Sequence, residues 1–336
     1  MIIKLTSLIF FWALLYAAKA QQSINILDSG NHTSLRGLSV PGDLIVWASG
    51  SNGTVVRSVN GGKTFEWLTV KGYEKRDFRD IQAFGKNTAI IIAVDEPAVI
   101  LKTIDGEENW YKIFEDSTKG MFLDAMDFSD DKHGVVIGDP INKRIFIKYT
   151  KDQGEHWSSY QDNVPPETMQ EGEAFFAASG TNVITFKNKG TIEFEYISGG
   201  TKSRFYSMGK AHEIPMIQGL ETTGANSIAI YNKEQYVIVG GDFANDKRSD
   251  SNCILLYPGN KKWTVPQTPP HGYRSCVAYI TENKLITCGT SGVDISNDGG
   301  MNWQLISTLS FHVCAKAATG NKVFLAGSNG KIALLQ

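Results

Sequence analysis

The chain has 336 residues, of which 42% are hydrophobic, 11% aromatic and 20% charged; this supplies a large core and excludes intrinsic disorder, collagen and coiled coil. Its 33 glycines, about a tenth of the chain against a usual share of about 7%, imply many tight turns and hence many short strands. With 33 basic and 35 acidic residues the formal net charge is −2, which gives no reason to expect nucleic acid or an anionic membrane surface as partner.

At the N-terminus Lys4 supplies a positive region, residues 5–17 a mostly apolar stretch, and Ala18-Lys19-Ala20 the small residues that a signal peptidase reads. This pattern predicts a cleaved export signal over 1–20 and a single domain over 21–336, exported to a periplasm or beyond the cell. The apolar run is shorter than the span of about 20 residues that crosses a bilayer, so no membrane span is expected after cleavage.

Residues 23–28 alternate like a strand and stand ahead of the first repeating unit. That unit reads as four strands, 35–40, 44–48, 54–59 and 65–70. Later second strands are β-branched or apolar runs at 90–94, 135–138, 236–240, 284–289 and 323–327, as expected of strands buried on both faces. Innermost strands begin near Leu35, Phe78, Phe122, Ala174, Ala225, Tyr273 and Phe311, which makes seven units. The last unit stops after three strands, so its edge would stay open. We expect residues 23–28 to supply its outer strand and close the ring.

A turn motif punctuates the units. Thr150-Lys151-Asp152-Gln153-Gly154-Glu155-His156-Trp157 and Ser296-Asn297-Asp298-Gly299-Gly300-Met301-Asn302-Trp303 both read S/T-x-D-x-G-x-x-W. Ser58, Asn60, Gly62 and Phe65 form a near copy; Thr103, Asp105 and Trp110 form another, in which the second glycine is lost. Eroded copies lead to Phe205 and Trp263. The acid accepts backbone N–H groups, glycine takes positive φ and the aromatic packs the turn onto its sheet. These residues are structural.

On this motif the chain resembles the Asp-box (BNR) repeat propellers of the sialidase-like superfamily, and within them the photosystem II stability/assembly factor type. The resemblance covers nearly all of residues 21–336. It implies an all-β, seven-bladed β-propeller of four-stranded antiparallel blades, and an assembly or binding scaffold. A sialidase reading would give Arg36, Arg79 and Arg274 to a substrate carboxylate, Tyr273 and Glu173 to the nucleophile pair, and Asp80 or Asp124 to the acid. Sialidases have six blades and an F/Y-R-I-P motif where this chain has Ser34-Leu35-Arg36-Gly37. A glycoside hydrolase using two other carboxylates is the alternative function.

Strand polarity gathers polar residues at one mouth of the ring. Arg36, Arg79, Asp80, Asp124, Glu171, Glu173, Asn226, Arg274 and His312 come from starts of inner strands. Asp95, Glu96, Asp139 and Asp242 come from ends of second strands. From these, Arg36, Arg79, Arg274, Asp139, Asp242 and His312 are the expected ligand-binding set, for a protein or glycan. A structural Arg–Asp ring between blades is the competing reading. Three longer loops, 165–172, 242–252 and 269–274, should overhang this mouth. His133, His156, His212 and His271 read as loop residues without a role.

No dinucleotide fingerprint, P-loop, GxSxG elbow or HExxH motif occurs, and we expect neither cofactor nor metal. Cys253, Cys276, Cys288 and Cys314 contain no CxxC; they read as buried small hydrophobes first and disulfides second. A monomer is expected.

Overall fold

The computed structural model describes residues 22–106, 109–159, 168–188, 191–232, 234–260 and 262–336. The expected export signal over 1–20, Glu107-Glu108 of one expected turn copy and Pro165-Pro166 of one expected long loop lie outside the described residues.

Strand β1 is Ile24–Asp28. A first sheet follows: β2 (Leu35–Gly42), β3 (Ile45–Gly50), β4 (Thr54–Ser58), β5 (Glu66–Thr69). The second is β6 (Phe78–Ala83), β7 (Ala89–Ala93), β8 (Ala98–Thr103), β9 (Tyr111–Asp116). The third is β10 (Leu123–Phe128), β11 (Gly134–Ile141), β12 (Arg144–Thr150), β13 (Ser158–Ser159).

Next come β14 (Glu173–Ala174), β15 (Val183–Asn188), β16 (Thr191–Gly200), β17 (Arg204–Ser207) and β18 (Lys210–Glu213). They are followed by β19 (Thr223–Tyr231), β20 (Gln235–Asp242) and β21 (Cys253–Leu256). These eight share one sheet, because β16 and β19 pair through Gly199 and Gly224 alone. Then come β22 (Cys276–Tyr279), β23 (Leu285–Gly289), β24 (Gly292–Ser296), β25 (Trp303–Ser307), and finally β26 (Val313–Lys316), β27 (Val323–Ala326), β28 (Ile332–Leu335).

All the pairings of these strands are antiparallel, and no helix is assigned among the described residues. Among those residues, none forms a helix long and apolar enough to cross a membrane. β1 pairs with β28 and completes the last sheet in the order β1-β28-β27-β26. The inner strands touch in a cycle: β2 meets β6, β6 meets β10, then β15, β19, β22 and β26 follow, and β26 returns to β2. Asp43 fastens this join, accepting the Asn321 and Lys322 backbone N–H groups at 2.9 and 2.8 Å.

Burial explains the strand sequences. β7, Ala-Ile-Ile-Ile-Ala, is buried at every position because sheets pack on both of its faces. One face joins Trp47 and Phe78, the other Met126 and Val136. Outer β9 is largely exposed and carries Tyr111 and Lys112 outward. The four cysteines are free and buried, with no disulfide among them.

The recurrent turns are closed locally. Ser296 Oγ donates to Asp298 Oδ1 at 2.8 Å and accepts the Gly300 N–H at 2.9 Å, while Asp298 Oδ1 accepts the Asn302 N–H at 2.9 Å. Thr150, Asp152, Gly154 and His156 repeat this pattern, and so do Ser58, Asn60, Gly62 and Thr64. Gly154 and Gly300 have φ of +81° and +97°, and a Cβ there would stand 2.5 Å from Ile90 and 2.7 Å from Leu255 of the preceding sheet. Glycine is required twice over: by the left-handed backbone and by the close approach.

Candidate functional site

A cavity of about 460 Å³ opens where the inner strands begin. Arg36 of β2, Arg79 of β6, Asp139 of β11 and Asn226 of β19 line it, with Tyr273 and His312 from just ahead of β22 and β26. Phe122, Phe175, Phe176 and Phe243 supply aromatic wall.

The two guanidiniums dominate its electrostatics. Arg36 is half-buried and donates to the Ala178 carbonyl at 3.5 Å. Burial first, and then the Arg79 charge, lower its pKa from the ordinary arginine value. Arg79 donates to Asp77 at 2.8 Å and stands over the Phe122 ring. His312 Nε2 lies 2.8 Å from Ser328 Oγ. Burial together with Arg36, Lys331 and Arg79 brings its pKa down to about 3, so the imidazole is neutral at physiological pH. Asp139 accepts the Phe175 N–H at 3.0 Å, and burial raises its carboxyl. The Tyr273 hydroxyl donates to Asn226 Oδ1 at 2.8 Å, and burial pushes its pKa up.

Five other expected site residues do not line this cavity. Asp80 is buried and receives the Ile81 and Met126 N–H groups at 2.8 and 2.7 Å; it stitches β6 to β10, and burial raises its carboxyl well above the usual range. Asp124 is fully buried, its carboxyl likewise raised, first by burial and then by Asp139. Asp242 turns inward to the Ala244 N–H at 3.1 Å.

Glu173 and Arg274, expected at the mouth, are each locked in a buried ion pair. Glu173 accepts Arg204 Nε at 2.9 Å and also Nη2, the Tyr206 hydroxyl at 2.7 Å, Ser198 Oγ and the Gln170 N–H. Burial alone would raise its carboxyl, but Arg204 and the other donors hold it below the ordinary value. Arg274 clamps Asp294 through Nε, at 2.7 Å, and Nη2, and both side chains are fully buried.

This geometry leaves Asp139 as the carboxylate in the cavity wall. Two-carboxylate glycoside hydrolysis needs a pair flanking the substrate about 5–10 Å apart. The Tyr273 hydroxyl, expected as part of the nucleophile pair, is engaged by Asn226 instead of Glu173. Groups that sequence reasoning passed over are Arg204, Asp294 and His271. His271 Nδ1 bonds Asp294 Oδ1 at 2.6 Å.

Among solved structures, one of YCF48 bound to D1 peptide is similar: TM-score 0.64 and 16% identity, over 94% of this chain and 97% of that one. YCF48 from Cyanidioschyzon merolae gives TM-score 0.63 and 16% identity, over 94% and 99%. The WD40 beta propeller domain of Doa1 gives 0.58 and 11%, over 94% and 97%. The chain is a β-propeller. No family model matches it, and no curated protein matches it.

Proposed function

We propose that this protein is a seven-bladed propeller that acts as a binding and assembly scaffold, holding a peptide segment of a protein partner in the cavity between Arg36 and Arg79. The blade count rests on dividing the eight-stranded sheet at the Gly199–Gly224 contact, which makes β14–β18 and β19–β21 separate blades. Binding rests on one observation: two guanidiniums converge on an aromatic cavity whose histidine is kept neutral. Such a site suits an anionic group with apolar neighbours, such as a peptide carboxylate beside a hydrophobic side chain. The structural likeness to YCF48 bound to D1 peptide supports a peptide as the ligand.

Export follows from the leader pattern of residues 1–20, and mass spectrometry of the secreted product should find an N-terminus near Gln21. The binding reading is tested by panning a displayed random-peptide library on the wild type against an Arg36→Ala/Arg79→Ala variant. We expect the wild type alone to enrich sequences with a carboxylate next to aliphatic or aromatic residues. Equal enrichment on both proteins would overturn the reading.

A further inference from the structure

A second cavity, of about 490 Å³, lies beside the first, and Thr290 lines both. Its wall contains His271, Lys247, Ser249, Thr308 and Asp246. The long segment 242–252 and the proline-stiffened 269–274 build it, and these same two segments send Phe243 and Tyr273 into the first cavity.

His271 is held unusually firmly for a half-exposed side chain. Its backbone N–H points at Asp294, its carbonyl accepts Arg274 Nη2 at 2.9 Å, and its Nδ1 bonds Asp294 Oδ1. Asp294 is clamped by Arg274 and has no hydrogen to offer, so Nδ1 carries the proton and Nε2 is the open atom of the ring. The other buried clamp, Glu173–Arg204, contains no histidine. Fastening the blade therefore does not account for an oriented imidazole.

We propose that the two cavities form one groove and that the His271 pocket is its second anchor, taking the carboxylate of an acidic residue in the bound peptide. This rests on the peptide reading of the first cavity. His271 and Lys247 supply the cationic donors, and the hydroxyls of Ser249 and Thr308 supply neutral ones. The charged groups around the ring are Asp294 and Arg274 beneath it and Asp246 and Lys247 across the pocket. An incoming carboxylate accepts from Nε2 when that nitrogen carries a proton.

The probes are N-acetylated octapeptides of glycine and serine ending in phenylalanine with a free carboxylate. They are made in pairs carrying Glu or Gln at two to six residues before the end. Calorimetry should show, at one spacing, the Glu peptide binding about tenfold tighter than its Gln twin. His271→Gln should abolish the gap, Lys247→Ala should narrow it, and Arg36→Ala should weaken both twins alike.

Twins that bind equally, or a gap that survives both His271→Gln and Lys247→Ala, would overturn the second anchor. The peptide reading would stand if Arg36→Ala still weakened binding. Peptides that bind the wild type no better than Arg36→Ala would overturn both.

Discussion

Two buried ion pairs, Glu173–Arg204 and Arg274–Asp294, fasten two blades of the ring in the same way with their charges exchanged. Glu173 on β14 reaches Arg204 on β17; Arg274, just ahead of β22, reaches Asp294 on β24. Each ties the beginning of an inner strand to the third strand of its own blade. They differ in what surrounds the carboxylate. Glu173 is closed in by Ser198, Tyr206 and a backbone N–H. Asp294 gives one oxygen to an imidazole that is 48% exposed. Equal burial of an ion pair thus says little about function; what matters is whether its network stops in the interior or continues to a surface cavity.

The largest effects should come from removing one cation. Arg204→Met and Arg274→Met each strand a carboxylate in the interior and should each cost about 3–5 kcal/mol, read by urea unfolding at pH 7.5. A loss below about 1 kcal/mol in either would mean that water reaches that carboxylate, ending the equivalence. The next test uses acid. Because Glu173 is held below the ordinary glutamate value of 4.5, its contribution is complete above that value and is lost as pH falls through the folded one. Unfolding midpoints taken from pH 6 down to pH 3 should therefore fall more steeply in the wild type than in Glu173→Gln.

The sequence carries the frame of this comparison but not its contents. The turn at Ser296, Asp298 and Gly300 is legible because all its bonds lie within seven residues. β1 is legible because a three-stranded end demands an edge partner. Strand polarity brings Arg36 and Arg79 to the same end of their strands, and both line the first cavity. Arg274 and Glu173 share that polarity, yet a partner on the third strand turned each inward. Spacing along the chain does not reveal such a partner, since Arg204 lies 31 residues beyond Glu173 and Asp294 only 20 beyond Arg274. His271 reads as a loop residue until Asp294 is seen beneath it. Sequence periodicity also hides that the Gly199–Gly224 pairing joins β14–β18 and β19–β21 into a single hydrogen-bonded sheet.

Smaller effects sharpen the contrast. Tyr206→Phe removes one donor from Glu173 and should cost about 1–3 kcal/mol, because the carboxylate has no solvent to replace it. His271→Gln should cost less, within about 0.5–1 kcal/mol, because Arg274 still holds Asp294 Oδ2, the new amide can donate to Oδ1, and the ring is half in water. The same substitution made in the Arg274→Met background should cost more, with a coupling in the range of roughly 0.5–3 kcal/mol. There the imidazole becomes the nearest side-chain donor left to a buried carboxylate. Strict additivity of the two changes would show that His271 and Arg274 do not share Asp294. The open end of the network would then be an ornament on the clamp rather than its extension to the groove.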